Sequence, residues 1–119
     1  MKITARSLLL APLTLSARPA VHIKAWAVSL RGHQLRVLLI DKGRRGAEIR
    51  LHVPARGPAT VERLLAPGVS ATAGVTLAGQ RLGPSGRWIG RRITQPIMRH
   101  GSGYEVSLPA HSAALVSVR

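Results

Sequence analysis

The sequence predicts an all-β protein, a single antiparallel β-sandwich of about seven to eight short strands. Two observations carry this prediction. From Val21 onward, apolar residues recur with a period of two, and Gly, Pro or polar turn residues interrupt them at short intervals. No segment shows the 3.6-residue period of an amphipathic helix. The 119 residues, 45% of them apolar, suffice for one domain with a modest core.

The first strands are predicted from their apolar patterns. VHIKAWAVSL (21–30) changes phase in its middle, which predicts a bulge or burial on both faces near Ala25. LRVLLID (35–41) is nearly continuous in aliphatic residues, and this favours a central strand. AEIRLHV (47–53) alternates most regularly, so its apolar residues are expected to face the core.

The second half of the chain has more Gly and Pro. A strand is predicted over 59–66, and the Gly- and Pro-rich stretch 67–90 is predicted to be a structured surface loop with one strand-like piece at 75–78. Pro96 restricts the segment 91–98 to an edge strand. The last two strands, 104–108 and 112–118, are expected to form a hairpin joined at 109–111.

Residues 1–20 contain the apolar run SLLLAPLTL. We interpret this segment as the first strand and residues 21–119 as the β-sandwich domain. The alternative is a degenerate signal peptide, in which Pro12 interrupts the apolar run and Leu15 occupies a position that favours a small residue. Such a weakly signal-like start is compatible with either a secreted or a cytoplasmic protein. No run reaches the roughly 18 to 20 apolar residues that a transmembrane helix needs.

The charge balance points to a polyanionic partner. The chain carries 18 Lys plus Arg against 4 Asp plus Glu, a formal net charge of +14. Such a chain attracts nucleic acid, anionic membranes and acidic polysaccharides. Two arginines share a turn and three more surround a tryptophan, and these are the candidate contact residues: Arg44, Arg45, Arg87, Trp88, Arg91 and Arg92. The alternative is a solvated basic surface with no dedicated ligand.

The residue types that support catalysis or metal binding are few. The four carboxylates, Asp41, Glu48, Glu62 and Glu105, lie in strands or at strand ends with Arg neighbours, so we expect them to be solvated and paired with Arg. The chain has no Cys, and its five His show no metal-ligand spacing. The Gly-rich segment 79–86 lacks the ending of a phosphate-binding loop. We therefore predict no catalytic residue, no cofactor and no metal.

Three segments resemble the C-terminal β-domain of glycoside hydrolase family 79, the family of β-glucuronidases and heparanase-like enzymes. They are VERLLAPGVSATAGVTLAGQ (61–80), GRWIG (86–90) and YEVSLPAHSAALVSV (104–118). VHIKAWAV and LRVLLIDKG are similar to earlier strands of that domain, although Asp41 stands where the family more usually has Asn. The resemblance extends over about 21–119.

In complete enzymes of this kind, the resemblance implies, the sandwich packs against a (β/α)8 barrel that holds both catalytic glutamates. No position of this chain matches those glutamates. A segment from the enzyme's N-terminus completes the sandwich in such relatives, and residues 1–20 either fill that place or extend the domain. We therefore expect a non-catalytic accessory domain, either a stand-alone remnant or a truncated part of an enzyme. It would support or dock a barrel and contact acidic glycans; the alternative is a basic nucleic-acid-binding β-domain.

Overall fold

Two antiparallel sheets face each other across one apolar core. The computed structural model describes residues 2–3, 13–18, 23–29, 34–53, 57–101 and 103–119. These residues form thirteen strands and no helix. The strands are β1 (Lys2–Ile3), β2 (Leu13–Arg18), β3 (Ile23–Ser29), β4 (Leu35–Asp41), β5 (Ala47–His52), β6 (Ala59–Leu65), β7 (Thr76–Leu77), β8 (Gln80–Leu82), β9 (Trp88–Ile89), β10 (Gln95–Ile97), β11 (Arg99–His100), β12 (Gly103–Leu108) and β13 (Ser112–Val118).

The predicted fold class is confirmed, but the number of strands is larger than expected. The smaller sheet has the order β1-β2-β5-β12-β11, and the larger has the order β3-β4-β13-β6-β7-β8-β9, with β10 paired to β6. Seven strands are six or seven residues long, and the others have two or three. The period-two pattern detects the long strands, whereas a strand of two or three residues is too short to show a period.

The core lies between the inward faces of the long strands. In β4 and β5 every second residue is buried, with Leu35, Val37 and Leu39 on one sheet opposite Ala47, Ile49 and Leu51 on the other. The alternation predicted for 47–53 is thereby confirmed. β12 and β13 contribute further buried residues, namely Tyr104, Val106, Leu108, Ala114, Val116 and Val118.

Two side chains form hydrogen bonds that stabilise the sandwich. The buried Tyr104 hydroxyl donates to the carbonyl of Gly57. Position 57 has no room for a side chain, because a Cβ on Gly57 would lie 1.9 Å from the carbonyl oxygen of Arg119. Burial raises the pKa of Tyr104, against a smaller lowering by Arg99, so the hydroxyl keeps the proton that it donates. On β6, Arg63 donates twice to the carbonyl of Ser107, at 3.1 and 2.9 Å, and so joins the larger sheet to the edge of β12.

The prediction of a bulge or of burial on both faces near Ala25 is wrong in both alternatives. β3 pairs with β4 without interruption from Ile23 opposite Asp41 to Ser29 opposite Leu35. Ile23, Ala25 and Ala27 are buried, and Trp26 faces outward. The apolar pattern suggests a change of phase only because the large side chain of Trp26 lies on the outward face, while the small Ala27 continues the inward period.

The expected hairpin at the end of the chain is also wrong. β12 pairs with β5 in the smaller sheet, whereas β13 pairs with β4 and β6 in the larger one. The connection 109–111 therefore crosses between the sheets. His111 has a positive φ of 55° there, and the Ser112 hydroxyl donates to the carbonyl of Pro109.

The segment 67–90 is more regular than predicted, because β8 and β9 join β7 and extend the larger sheet. β10 pairs with β6 alone, in agreement with the edge position expected from Pro96. Within 1–20, β2 pairs with β5 and β1 pairs with β2. Residues 4–12, where most of the predicted first strand lies, are outside the described residues. The division into 1–20 and 21–119 stays a prediction.

Over the described ranges, the chain contains no helix that is long and apolar enough to span a membrane.

Two neighbouring leucines on β4 test the assignment of its faces. We expect Leu39→Ala, in the core, to lower the free energy of unfolding by about 2 to 5 kcal/mol, because truncation leaves a cavity. Leu38→Ala removes the same atoms from the outer face, where the side chain is 39% exposed, and should cost less than about 1 kcal/mol. Urea unfolding of the purified chain measures both. Equal losses would contradict the assignment.

Candidate functional site

The outer faces of the two sheets differ in chemistry. On the smaller sheet the outward side chains of β5 and β12 include Glu48, Arg50, Glu105 and Ser107. Arg50 and Glu105 are direct neighbours and form an ion pair at 3.1 Å. Such a polar outer face is usual for an antiparallel sheet with one side in water.

The outer face of the larger sheet contains two largely apolar rows, with Lys24, Arg36 and Glu62 at their margins. The strand register places Trp26, Leu38 and Leu115 side by side across β3, β4 and β13. A second row crosses β4, β13, β6 and β7. Together they make up what we call the apolar face: Trp26, Leu38, Ile40, Leu64, Leu77, Ala113 and Leu115. Of these, Trp26, Leu38 and Leu64 are each 39% exposed.

The sequence of β4 already contains a signal for this face. LRVLLID (35–41) is almost continuously apolar because both of its faces are apolar. A strand of this kind is normally buried on both sides. Here one side packs into the core and the other is uncovered among the described residues. An uncovered apolar surface rimmed by polar residues is typical of an interaction site.

A groove of about 560 Å³ lies at one end of the apolar face. Ile40, Leu64 and Ala113 belong both to that face and to the wall of the groove. The opposite wall comes from the segment after β6, with Val69 and Val75 among its residues. The groove is therefore mainly apolar and continuous with the apolar face.

Polar residues from the ends of two strands also line the groove, and two of their atoms are buried without a hydrogen-bond partner. Within the described residues, Asp41 Oδ2 and His111 Nδ1 have no partner. The other carboxylate oxygen, Oδ1, accepts the Gly43 N–H at 2.7 Å. Asp41 is only 2% exposed, so the expectation that it is solvated and paired with Arg is wrong. It occupies the last inward position of β4, where the strand period places it at the end of the core.

A polar cluster lies on β6 next to the apolar face. Glu62 on β6 lies opposite Leu115 on β13. It accepts two hydrogen bonds from Arg92, at 2.6 and 2.9 Å. The Arg92 guanidinium, and more weakly Arg36, holds the pKa of Glu62 below its ordinary value of 4.5, although partial burial acts in the opposite direction. Pairing with Arg is thereby confirmed for Glu62, as it is for Glu105.

The structure separates the six candidate polyanion contacts into two groups. Arg44 and Arg45 are exposed in the turn after β4. Arg87, Trp88 and Arg91 are exposed in and around β9, which is separated from β4 by β13, β6, β7 and β8. Arg92 differs from the others because its guanidinium is bound to Glu62. The two groups therefore do not share one position on the sheet.

In the part of the chain that the structure describes, no three His, Asp or Glu residues are grouped so that they could hold a metal ion.

Comparisons with known proteins identify the fold. The family model of the glycosyl hydrolase family 79 C-terminal beta domain matches residues 25–115. A 4-O-α-L-rhamnosyl-β-D-glucuronidase from Fusarium oxysporum 12S has a similar structure, with a TM-score of 0.68 and 22% identity. CelM2, a bifunctional glucanase-xylanase from a metagenome library, is less similar, with a TM-score of 0.51 and 17% identity. A search of curated proteins by similarity found no significant match.

The two enzymes are much longer than this chain. The alignment with the glucuronidase covers 90% of this chain and 26% of the enzyme. With CelM2 it covers 82% of this chain and 16% of the enzyme. At these identities the likeness concerns the fold alone.

The ion pair of Glu62 should make stability depend on pH. Because its pKa is lowered in the folded state, the pair stabilises the fold above pH 4.5, the ordinary value, and this stabilisation is lost as the pH falls through the folded pKa. We expect Glu62→Gln to reduce this loss when unfolding is measured in urea at successive pH values. Glu105→Gln is the control and should change the pH dependence less, since its ion pair is more exposed. An unchanged profile for Glu62→Gln would contradict the assignment.

Proposed function

The chain belongs to the glycosyl hydrolase family 79 C-terminal β domain, and we propose that it is a non-catalytic accessory domain that docks onto and supports a glycoside hydrolase catalytic (β/α)8 barrel. The observation that carries the docking is the apolar face. An antiparallel sheet that already has a core on one side does not need apolar residues on the other. A larger protein that packs on this face would remove them from water, which is favourable in proportion to the apolar area buried.

The placement of the acidic residues supports a non-catalytic role. A glycosidase uses two carboxyl groups on either side of the scissile bond. In this chain Glu62 and Glu105 are each bound to an arginine, and Asp41 holds the turn at Gly43. These three carboxylates thus have structural partners, and the catalytic pair is assigned to the barrel.

The first test concerns the partner. We expect the DNA upstream of this chain to encode a (β/α)8 barrel, in the same frame or a shifted one. When that barrel is co-expressed with the chain, the two should co-purify as a 1:1 complex. The purified chain alone should not hydrolyse a chromogenic β-glucuronide. Two results would overturn the proposal. One is hydrolysis by the chain alone that is abolished by Glu62→Gln or Glu105→Gln. The other is the absence of any such barrel upstream.

The second test concerns the face. Leu38→Lys places a charge in the middle of the apolar face and should weaken the complex at least about tenfold, because the charge must be desolvated on docking. Ser107→Lys adds the same charge on the polar outer face of the smaller sheet and should leave affinity unchanged. Titration calorimetry with the co-expressed barrel gives both affinities, and circular dichroism shows that both variants fold. Equal affinities would assign docking to another surface.

We also propose that the exposed arginines contact acidic glycans. Trp88 is 42% exposed, and Arg87 and Arg91 are its exposed neighbours. An indole ring packs against the apolar face of a sugar, while guanidinium groups bind carboxylates through charge-assisted hydrogen bonds. These two features together match a polymer of uronic acids. Arg92 is expected to contribute least, because Glu62 already binds it.

Affinity electrophoresis tests this contact. A gel that contains a polyuronic acid should retard the chain at low salt, and a neutral glucan should not. Arg87→Gln with Arg91→Gln should reduce the retardation more than Arg44→Gln with Arg45→Gln, although both pairs remove the same charge. Equal reduction would indicate attraction by net charge alone. Stronger retardation by DNA, with affinity that falls steeply as salt rises, would favour the nucleic-acid alternative.

A further inference from the structure

A second groove, of about 470 Å³, lies at the end of the apolar face opposite the groove described above. Arg36, Ser117 and Thr60 contribute to its lining, and the register places them side by side across β4, β13 and β6. Arg36 and Ser117 are two positions from Leu38 and Leu115 on the same strands, so they belong to the same outer face. The second groove is therefore continuous with the apolar face.

The two grooves differ in chemistry. The side chains of the second include two guanidinium groups, two hydroxyl groups and an amide, each able to donate a hydrogen bond, and none of its lining residues is acidic. We call it the basic groove and define it by Gln34, Arg36, Thr60, Ser117 and Arg119. The first groove is mainly apolar. A set of donors without an acidic group favours an anion as the ligand.

The guanidinium groups of the basic groove are available to a ligand. Arg36 and Arg119 are both exposed. Among the described residues neither guanidinium forms an ion pair, and the arginines that do are Arg50 and Arg92. Arg36 acts on Glu62 only as a weaker charge at a distance, because the two hydrogen bonds that Glu62 accepts come from Arg92.

The backbone holds Arg119 at the basic groove. Its N–H donates to the carbonyl of Pro58 at 3.1 Å. Its carbonyl oxygen lies against Gly57, which is not among the residues that line the groove. The backbone of Arg119 is thus fixed beside the groove while its guanidinium is exposed to a ligand.

We infer that the basic groove binds the carboxylate of an acidic side chain of the catalytic barrel when the barrel docks on the apolar face. This inference rests on the proposed function and specifies the partner's chemistry at one end of the interface. Successive residues of a strand are about 3.3 Å apart, so Arg36 lies roughly 7 Å from Leu38 along β4, and a protein that covers Leu38 also reaches Arg36. The guanidinium fork matches a carboxylate through two parallel hydrogen bonds. Because the groove at the other end is mainly apolar, this pair also sets the direction in which the barrel docks.

A second copy of the chain is a poorer occupant of the basic groove than the barrel. Of the four acidic residues in the chain, Glu62 and Glu105 are bound to arginines, and Asp41 is buried. Glu48 lies on β5, on the outer face of the smaller sheet. Two copies that met through their apolar faces would instead bring Arg36 of one copy towards Arg36 of the other. Like charges that meet across an interface oppose binding.

Arg36→Gln tests the basic groove by removing one guanidinium. The side chain is exposed, so urea unfolding of the variant should match that of the wild type. Its affinity for the co-expressed barrel should fall about tenfold at low salt, because the partner's carboxylate loses a charged donor. The difference should shrink as salt is raised, because an ion pair in an open groove is screened. Arg36→Lys keeps the charge without the paired donors and should bind with intermediate affinity. Titration calorimetry at low and high salt gives these affinities.

Arg81→Gln is the matched control, because it removes the same charge from an exposed side chain on β8, outside the basic groove. It should leave the affinity for the barrel within about twofold of the wild type.

Three results would overturn the carboxylate site. In the first, Arg36→Gln binds the barrel as Arg81→Gln does while Leu38→Lys binds weakly, so that the docking face stands and the site is wrong. In the second, Arg36→Gln leaves the affinity for the barrel unchanged but reduces retardation by a polyuronic acid gel more than Arg81→Gln does, which makes an acidic glycan the occupant. In the third, sedimentation shows a dimer of the chain alone that Arg36→Gln dissociates, which makes a second copy the occupant. If the wild-type chain does not bind the barrel, the proposed function fails and this inference fails with it.

Discussion

The pairing of β4 with β13 is the constraint on which the rest of the structure depends. Side chains alternate between the two faces of a strand, so the register that places Val37 opposite Val116 in the core also places Leu38 opposite Leu115 outside it. A slip of one residue would exchange these sets. The core, the apolar face and the inward position of Asp41 at the end of β4 are thus consequences of one register.

The sequence could predict which residues share a face, but not which strands share a sheet. Alternation in AEIRLHV (47–53) correctly predicted the buried and exposed sides of β5. A similar pattern is present in β12 and β13, yet these strands belong to different sheets. A period of two describes the direction of side chains relative to their own strand and contains no information about which strand pairs with it. The connection 109–111 is short enough for a hairpin or for a crossing between the sheets.

The candidate site was predictable only where it depends on residue type. Arginines at a turn or around Trp88 are visible in the sequence, because charge and exposure usually go together. The engagement of Arg92 by Glu62 was not visible, since thirty positions separate the two residues. Asp41 was expected to be solvated, as carboxylates usually are. Its burial follows from its inward position at the end of β4, where it accepts a hydrogen bond from the Gly43 N–H and not from the Arg partner that was expected.

The large positive charge and the apolar face act in opposite directions on association. The apolar face, which no described residue covers, favours contact between any two copies, because burial of apolar surface is not directional. A formal net charge of +14 on every copy opposes such contact over distances of about a Debye length, roughly 8 to 10 Å in physiological salt. The hydrophobic and the electrostatic contributions to binding are both favourable only for a partner whose surface combines an apolar centre with an acidic rim. Charge and hydrophobicity thereby favour a partner of this chemistry over a second copy of the chain.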